Sequence, residues 1–113
     1  MMKRKLHRNN LIYYLKVYDQ KTDQPLGRLV DITPEGIMLI SETPIPSDID
    51  FTLRMEFPKE IFGEERMEFS ARSMWCHKDM NPDYYDTGFQ LIDVPLEHVL
   101  LIKKLVSEFG FTY

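Results

Sequence analysis

Between Ile49 and Met55 the chain alternates strictly, with Ile49, Phe51, Leu53 and Met55 apolar and Asp50, Thr52 and Arg54 polar. Successive side chains leave a strand on opposite sides, so a period of two predicts a strand with one face in a core and the other toward water. The pattern recurs along the chain. Met67, Phe69, Ala71, Ser73 and Trp75 share one face of a long strand opposite Glu68, Ser70, Arg72 and Met74, and Leu11, Tyr13, Leu15 and Val17 share one within Leu11 to Tyr18. From Leu26 to Ile32, Leu26, Arg28, Val30 and Ile32 alternate against Gly27, Leu29 and Asp31, and the polar cluster Asp19 to Pro25 predicts a hairpin between this strand and the one before. Ile37 to Ile40 is a short apolar run, read as a strand buried on both faces. Tyr85, Thr87, Phe89 and Leu91 complete the β portion, with Gly88 marking a bulge or a close backbone approach.

From Pro95 the period becomes helical. Val99, Ile102, Val106 and Phe109 form one stripe, widened by Leu96, Leu100 and Leu105, with Glu97, Lys104 and Glu108 opposite. Asp93 is placed to cap this helix, Pro95 suits its first turn and Gly110 its C-terminal cap. Six short strands followed by one amphipathic helix predict a six-stranded antiparallel β-barrel, closed or nearly so, with the C-terminal α-helix over an open end or face.

A chain of 113 residues suits one compact domain, read here as 11–113 preceded by a basic arm over 1–10. No apolar run approaches the roughly 20 residues of a membrane span, and polar residues follow Leu6 where a signal peptide would stay apolar. These points, with Cys76 as the single cysteine, set cytoplasmic as the expected location. The net charge of −4 hides an asymmetry: residues 1 to 18 carry Lys3, Arg4, Lys5, Arg8 and Lys16 without an acid, a balance of +5, which leaves −9 on the remainder. Basic arms of this kind bind anions.

Little in the sequence supports catalysis. His7, His77 and His98 are scattered, Cys76 beside His77 is no chelating pair, and neither a phosphate loop nor a nucleophile elbow is present, so no metal, cofactor or enzymatic role is expected. Arg4 and Arg8 differ, because guanidinium pairs bidentately with phosphate oxygens and with the guanine O6/N7 edge. In Asp31-Ile32-Thr33-Pro34-Glu35-Gly36 a carboxylate suited to the guanine N1 and N2 donors lies near a hydroxyl. There Gly36 serves either a turn needing positive φ or the close approach of a ligand. A hairpin between the two pieces would bring Asp31 to the end of the barrel from which the arm departs.

Arg4-Lys5-Leu6-His7-Arg8 matches RxxxR, and the hexapeptide matches [D/N]xSxxG with threonine for serine. In that order, on this strand pattern, they resemble the PilZ domain, the bacterial receptor module for cyclic di-GMP. Trp75 and Gly88-Phe89-Gln90-Leu91-Ile92-Asp93 are similar to the family's closing strands. The resemblance implies that Arg4 and Arg8 hold guanine edges and phosphates, that Asp31, Thr33 and Gly36 line the guanine site, and that Lys3, Lys5 and Trp75 lie near the ligand. It also implies an arm that orders on binding and a downstream partner protein that the sequence does not name. Two alternatives stand beside it: a PilZ-like adaptor that binds protein without nucleotide, and a small barrel for single-stranded nucleic acid, which the charge of −9 on the body opposes.

Overall fold

The computed structural model describes residues 15–56 and 66–109, the stretch 105–109 by its backbone alone. Six strands run β1 (Lys16–Asp19), β2 (Gln24–Ile32), β3 (Gly36–Ser41), β4 (Asp50–Glu56), β5 (Arg66–Lys78) and β6 (Tyr85–Ile92), followed by the helix α1 (Leu96–Phe109). They close into an antiparallel barrel in the order β1-β2-β3-β6-β5-β4, with β1 pairing β4 to complete the ring. The expected fold is the observed one. Leu11 to Tyr14, the loop from Pro58 to Glu65, Gly110 and the arm over 1–10 lie outside the described residues.

Inside the ring, Val17, Leu29, Leu39, Leu53, Met55 and Ala71 are wholly buried, with Ile32, Ile37, Met67, Phe69 and Phe89 beside them. Each large side chain so removed from water contributes about 1.5–3 kcal/mol. The segment from β3 to β4 crosses one end of the barrel and plugs it with Ile45. The buried Ser73 hydroxyl fastens that segment by donating to the Pro46 carbonyl at 2.7 Å and accepting from the Ile49 N–H at 3.1 Å. α1 follows β6 at the opposite end, where Ile102 is fully buried and Val94 and Leu101 pack against the core.

Three departures from simple alternation have physical causes. A bulge between Leu29 and Asp31 inserts Val30, so Leu29, Val30 and Ile32 are all buried while Arg28 is exposed, and the predicted alternation of Leu26, Arg28, Val30 and Ile32 against Gly27, Leu29 and Asp31 breaks there. A second bulge, between Ser73 and Trp75, turns Trp75 outward, 41% exposed, although Ser73 on the expected shared face is wholly buried. On β3 one face is buried through Ile37 and Leu39, while Met38 and Ile40 are only half-buried, so the strand is not covered on both sides.

Arg54 is polar and outward-facing, yet only 8% exposed. Its guanidinium bonds Asp23 at 2.8 Å, Glu56 at 3.0 Å and the Gln20 Oε1 at 3.0 Å, and lies over the Tyr18 ring at 4.5 Å, tying the β1–β2 turn to β4. The hydrogen bond to Asp23, with the nearby charges of Asp23 and Glu56, raises its pKa against the opposing effect of burial. At the helix start the Pro95 carbonyl accepts the first N–H groups, those of His98 and Val99, so Pro95 holds the cap position expected of Asp93. Asp93 instead turns the chain at φ 50°. Leu96 and Leu100, expected to widen the packed stripe, face solvent.

Candidate functional site

Thr33 organises the turn between β2 and β3. Its N–H donates to the Gly36 carbonyl at 2.8 Å, and its hydroxyl accepts the N–H groups of Glu35 and Gly36 at 3.1 Å each. The threonine therefore does locally what a serine hydroxyl would, and its methyl group costs none of these bonds. Gly36 has a different cause from the expected one. Its φ lies outside the left-handed region, but an added Cβ would stand 2.6 Å from the Phe89 carbonyl oxygen. What approaches this glycine closely is the backbone of β6, which is fixed there further by the Leu91 N–H bonding the Glu35 carbonyl at 2.9 Å.

The cross-strand register assembles a single row on the outer wall. Asp31 on β2 stands opposite Met38 on β3, Met38 opposite Gly88 on β6, and Gly88 opposite Trp75 on β5. Three strand spacings put the ends of this row about 14 Å apart at the backbone. Gly88 leaves the middle open, and the Trp75 indole fills that space: a Cβ on Gly88 would be 2.4 Å from the ring. The sequence suggested a bulge or a close backbone approach at Gly88, whereas what approaches it is the Trp75 side chain, and the bulge is on the facing strand. His77 stacks on the indole, ring centroids 4.6 Å apart and planes within 8°.

Between the walls lies a groove of about 400 Å³ with Met38, Gly88 and Gln90 in its lining. Asp31, Thr33, Gly36 and Trp75 all contribute to it, so four of the residues selected from the sequence come together. Each wall residue follows a bulge, Val30 before Asp31 and Met74 before Trp75, and such insertions re-aim the next side chain. One Asp31 oxygen accepts the Ile32 N–H at 3.0 Å. Lys3, Arg4, Lys5 and Arg8 lie outside the described residues. Leu15, however, accepts from the Leu29 N–H at 2.9 Å, so the chain enters β1 at the same end of the barrel as the Thr33 turn. Met38, Met74 and Gln90 were not selected from the sequence, where an outward methionine on a short apolar strand looks like core.

Among the described residues no group of His, Cys, Asp and Glu has the arrangement of a metal site, and no helix is long and apolar enough to cross a membrane. The outside of the closed barrel thus carries a groove with an aromatic wall. The chain belongs to the PilZ domain family, whose model matches residues 2–108, and PilZ domains are receptor modules rather than enzymes. The fold is similar to that of the Bacillus subtilis inhibitor of motility (MotI/DgrA), with a TM-score of 0.66 over 95% of this chain at 12% sequence identity. This chain spans 53% of that one, about half its length. A comparison with curated proteins finds no match.

Proposed function

We propose that this chain is a bacterial receptor for cyclic di-GMP, acting in the cytoplasm, with its guanine site in the groove between Asp31 and Trp75. The observation that carries this reading is the row Asp31, Met38, Gly88, Trp75, which sets a carboxylate and an exposed indole on one groove. It lies at the end of the barrel where the chain bearing Arg4 and Arg8 arrives. In this reading the Asp31 carboxylate accepts the N1 and N2 donors of a guanine, Trp75 stacks on the base, and Arg4 and Arg8 close over phosphates and the O6/N7 edge. Lys3 and Lys5 add charge to that arm. Ordering an arm costs about 2–5 kcal/mol, and one bidentate arginine contact is worth about 1–3 kcal/mol, so both arginines are needed for useful affinity.

Binding would then expose a reordered surface to a downstream protein. Since the fold relative is an inhibitor of motility, a motility component is the first class of partner to test. One observation favours the adaptor reading instead: Thr33 and Gly36 are each explained by the turn and by β6, with no ligand required. Calorimetric titration with cyclic di-GMP at physiological salt decides between them. The receptor reading expects saturable binding lost in Arg8→Ala and weakened at least tenfold in Asp31→Ala, without displacement by GTP or single-stranded DNA. No heat from the unmutated protein would overturn it in favour of the adaptor.

A further inference from the structure

α1 presents two apolar faces, and the barrel uses one. Ile102 is fully buried, while Leu96 and Leu100 are 72% and 58% exposed. At 3.6 residues per turn Leu100 points about 200° away from Ile102, straight away from the barrel. Leu96 and Leu100 lie one turn apart on that outward face and form a short ridge. Glu97 and the exposed Lys104 border the ridge on one flank, three residues before Leu100 and four after, and the exposed Lys103 borders it on the other.

We propose that this face is a two-fold interface between copies of this chain, formed by antiparallel pairing of their α1 helices about Leu100. A two-fold axis across the helix at that point sets Leu100 against the partner's Leu100 and Leu96 along the aliphatic stem of the partner's Lys103. It also brings Glu97 to the partner's Lys104 and, by the same operation, Lys104 to the partner's Glu97. An isologous contact demands that a surface complement itself, and opposite charges placed evenly about a central leucine on one flank meet that demand. An unrelated partner would need no such symmetry. Both barrels lie on the far sides of the paired helices, so nothing in the described fold obstructs the approach. With two leucines per copy the contact is far smaller than the roughly 800 Å² per partner of a stable complex, so the dimer is a weak one.

Sedimentation equilibrium of the full chain from micromolar to millimolar concentration tests this. The expected result is a concentration-dependent dimer that Leu100→Lys abolishes and that Glu97→Lys and Lys104→Glu each weaken about tenfold, a change of 1.4 kcal/mol. The double variant Glu97→Lys/Lys104→Glu should recover the original association. These positions face solvent, and circular dichroism checks that each variant keeps its fold. A monomer at millimolar concentration, a dimer indifferent to Leu100→Lys, or a charge swap that fails to restore association would overturn the proposal.

Discussion

Two grooves indent the outside of this barrel along β2 and β3, at opposite ends of the same strands. The one at the Thr33 turn is about 400 Å³, and the other, lined by Lys16, Tyr18, Arg28, Ile40, Glu42 and Asp79 among others, is about 830 Å³. The larger presents both signs of charge, two cations against two carboxylates, and so selects no ligand by sign. The smaller sets the Asp31 carboxylate against an indole that rests on Gly88. Arrangement, more than volume, distinguishes the two grooves, and here two bulges supply the arrangement.

A matched pair of glycine substitutions puts the most strain on that contrast. Gly36→Ala and Gly27→Ala each bring a Cβ to 2.6 Å from a backbone carbonyl oxygen, that of Phe89 at the small groove and that of Ile40 at the large one. Both should lose about 1–3 kcal/mol in urea unfolding, because a strand has to shift. Only Gly36→Ala should also weaken cyclic di-GMP binding by the folded fraction. Equal weakening by Gly27→Ala would erase the distinction between the grooves.

Next in size is the indole wall. Trp75→Ala should cost about 1–3 kcal/mol of ligand affinity, the worth of a base stacked on an aromatic ring, while changing stability by less than about 1 kcal/mol because the ring is 41% exposed. Gly88→Ala should displace the indole, which tryptophan fluorescence would report as a shifted emission, and weaken the ligand in the same direction. A Trp75→Ala protein that binds normally would leave Asp31 without an opposing wall and the groove without a base site.

Thr33→Val should cost about 1–3 kcal/mol by leaving the turn without its hydroxyl, whereas Thr33→Ser should stay within about 0.5 kcal/mol of the parent in the same unfolding assay. The smallest effect belongs to Arg54, beside Tyr18 at the large groove. Its pKa is raised in the fold, so its contribution is complete below its ordinary value and is lost only as pH climbs through the higher folded one. Unfolding followed across the neutral range should show no pH dependence that Arg54→Met removes.

Period two along β4, β5 and β6 and the change to a helical period at Pro95 made the barrel and its helix legible from sequence. The hexapeptide was legible as the turn between β2 and β3. The bulges were not, because Val30 and Met74 are apolar residues among apolar neighbours, and one inserted residue changes which side chains face inward without changing composition. That is why Leu29 and Val30, neighbours in sequence, are both buried and why Trp75 moved to the outside. The β6 backbone against Gly36 was not legible, since a strand at contact distance leaves no local trace in sequence. Leu96 and Leu100 fit the helical stripe by number, and only the position of Ile102 showed which side met the barrel.

Ring closure has a further consequence. Among the described residues β1 bonds both β2 and β4, and each remaining strand likewise has a neighbour on either side. Along the stretches paired on both sides no row of bare amides and carbonyls is left to template an incoming strand, and among the described residues such a border remains where a strand outruns its neighbour, as β5 outruns β4 beyond Ser73. Over the doubly paired wall a client would meet a mosaic of surface residues, which allows its identity to change by point substitution while the scaffold beneath stays the same.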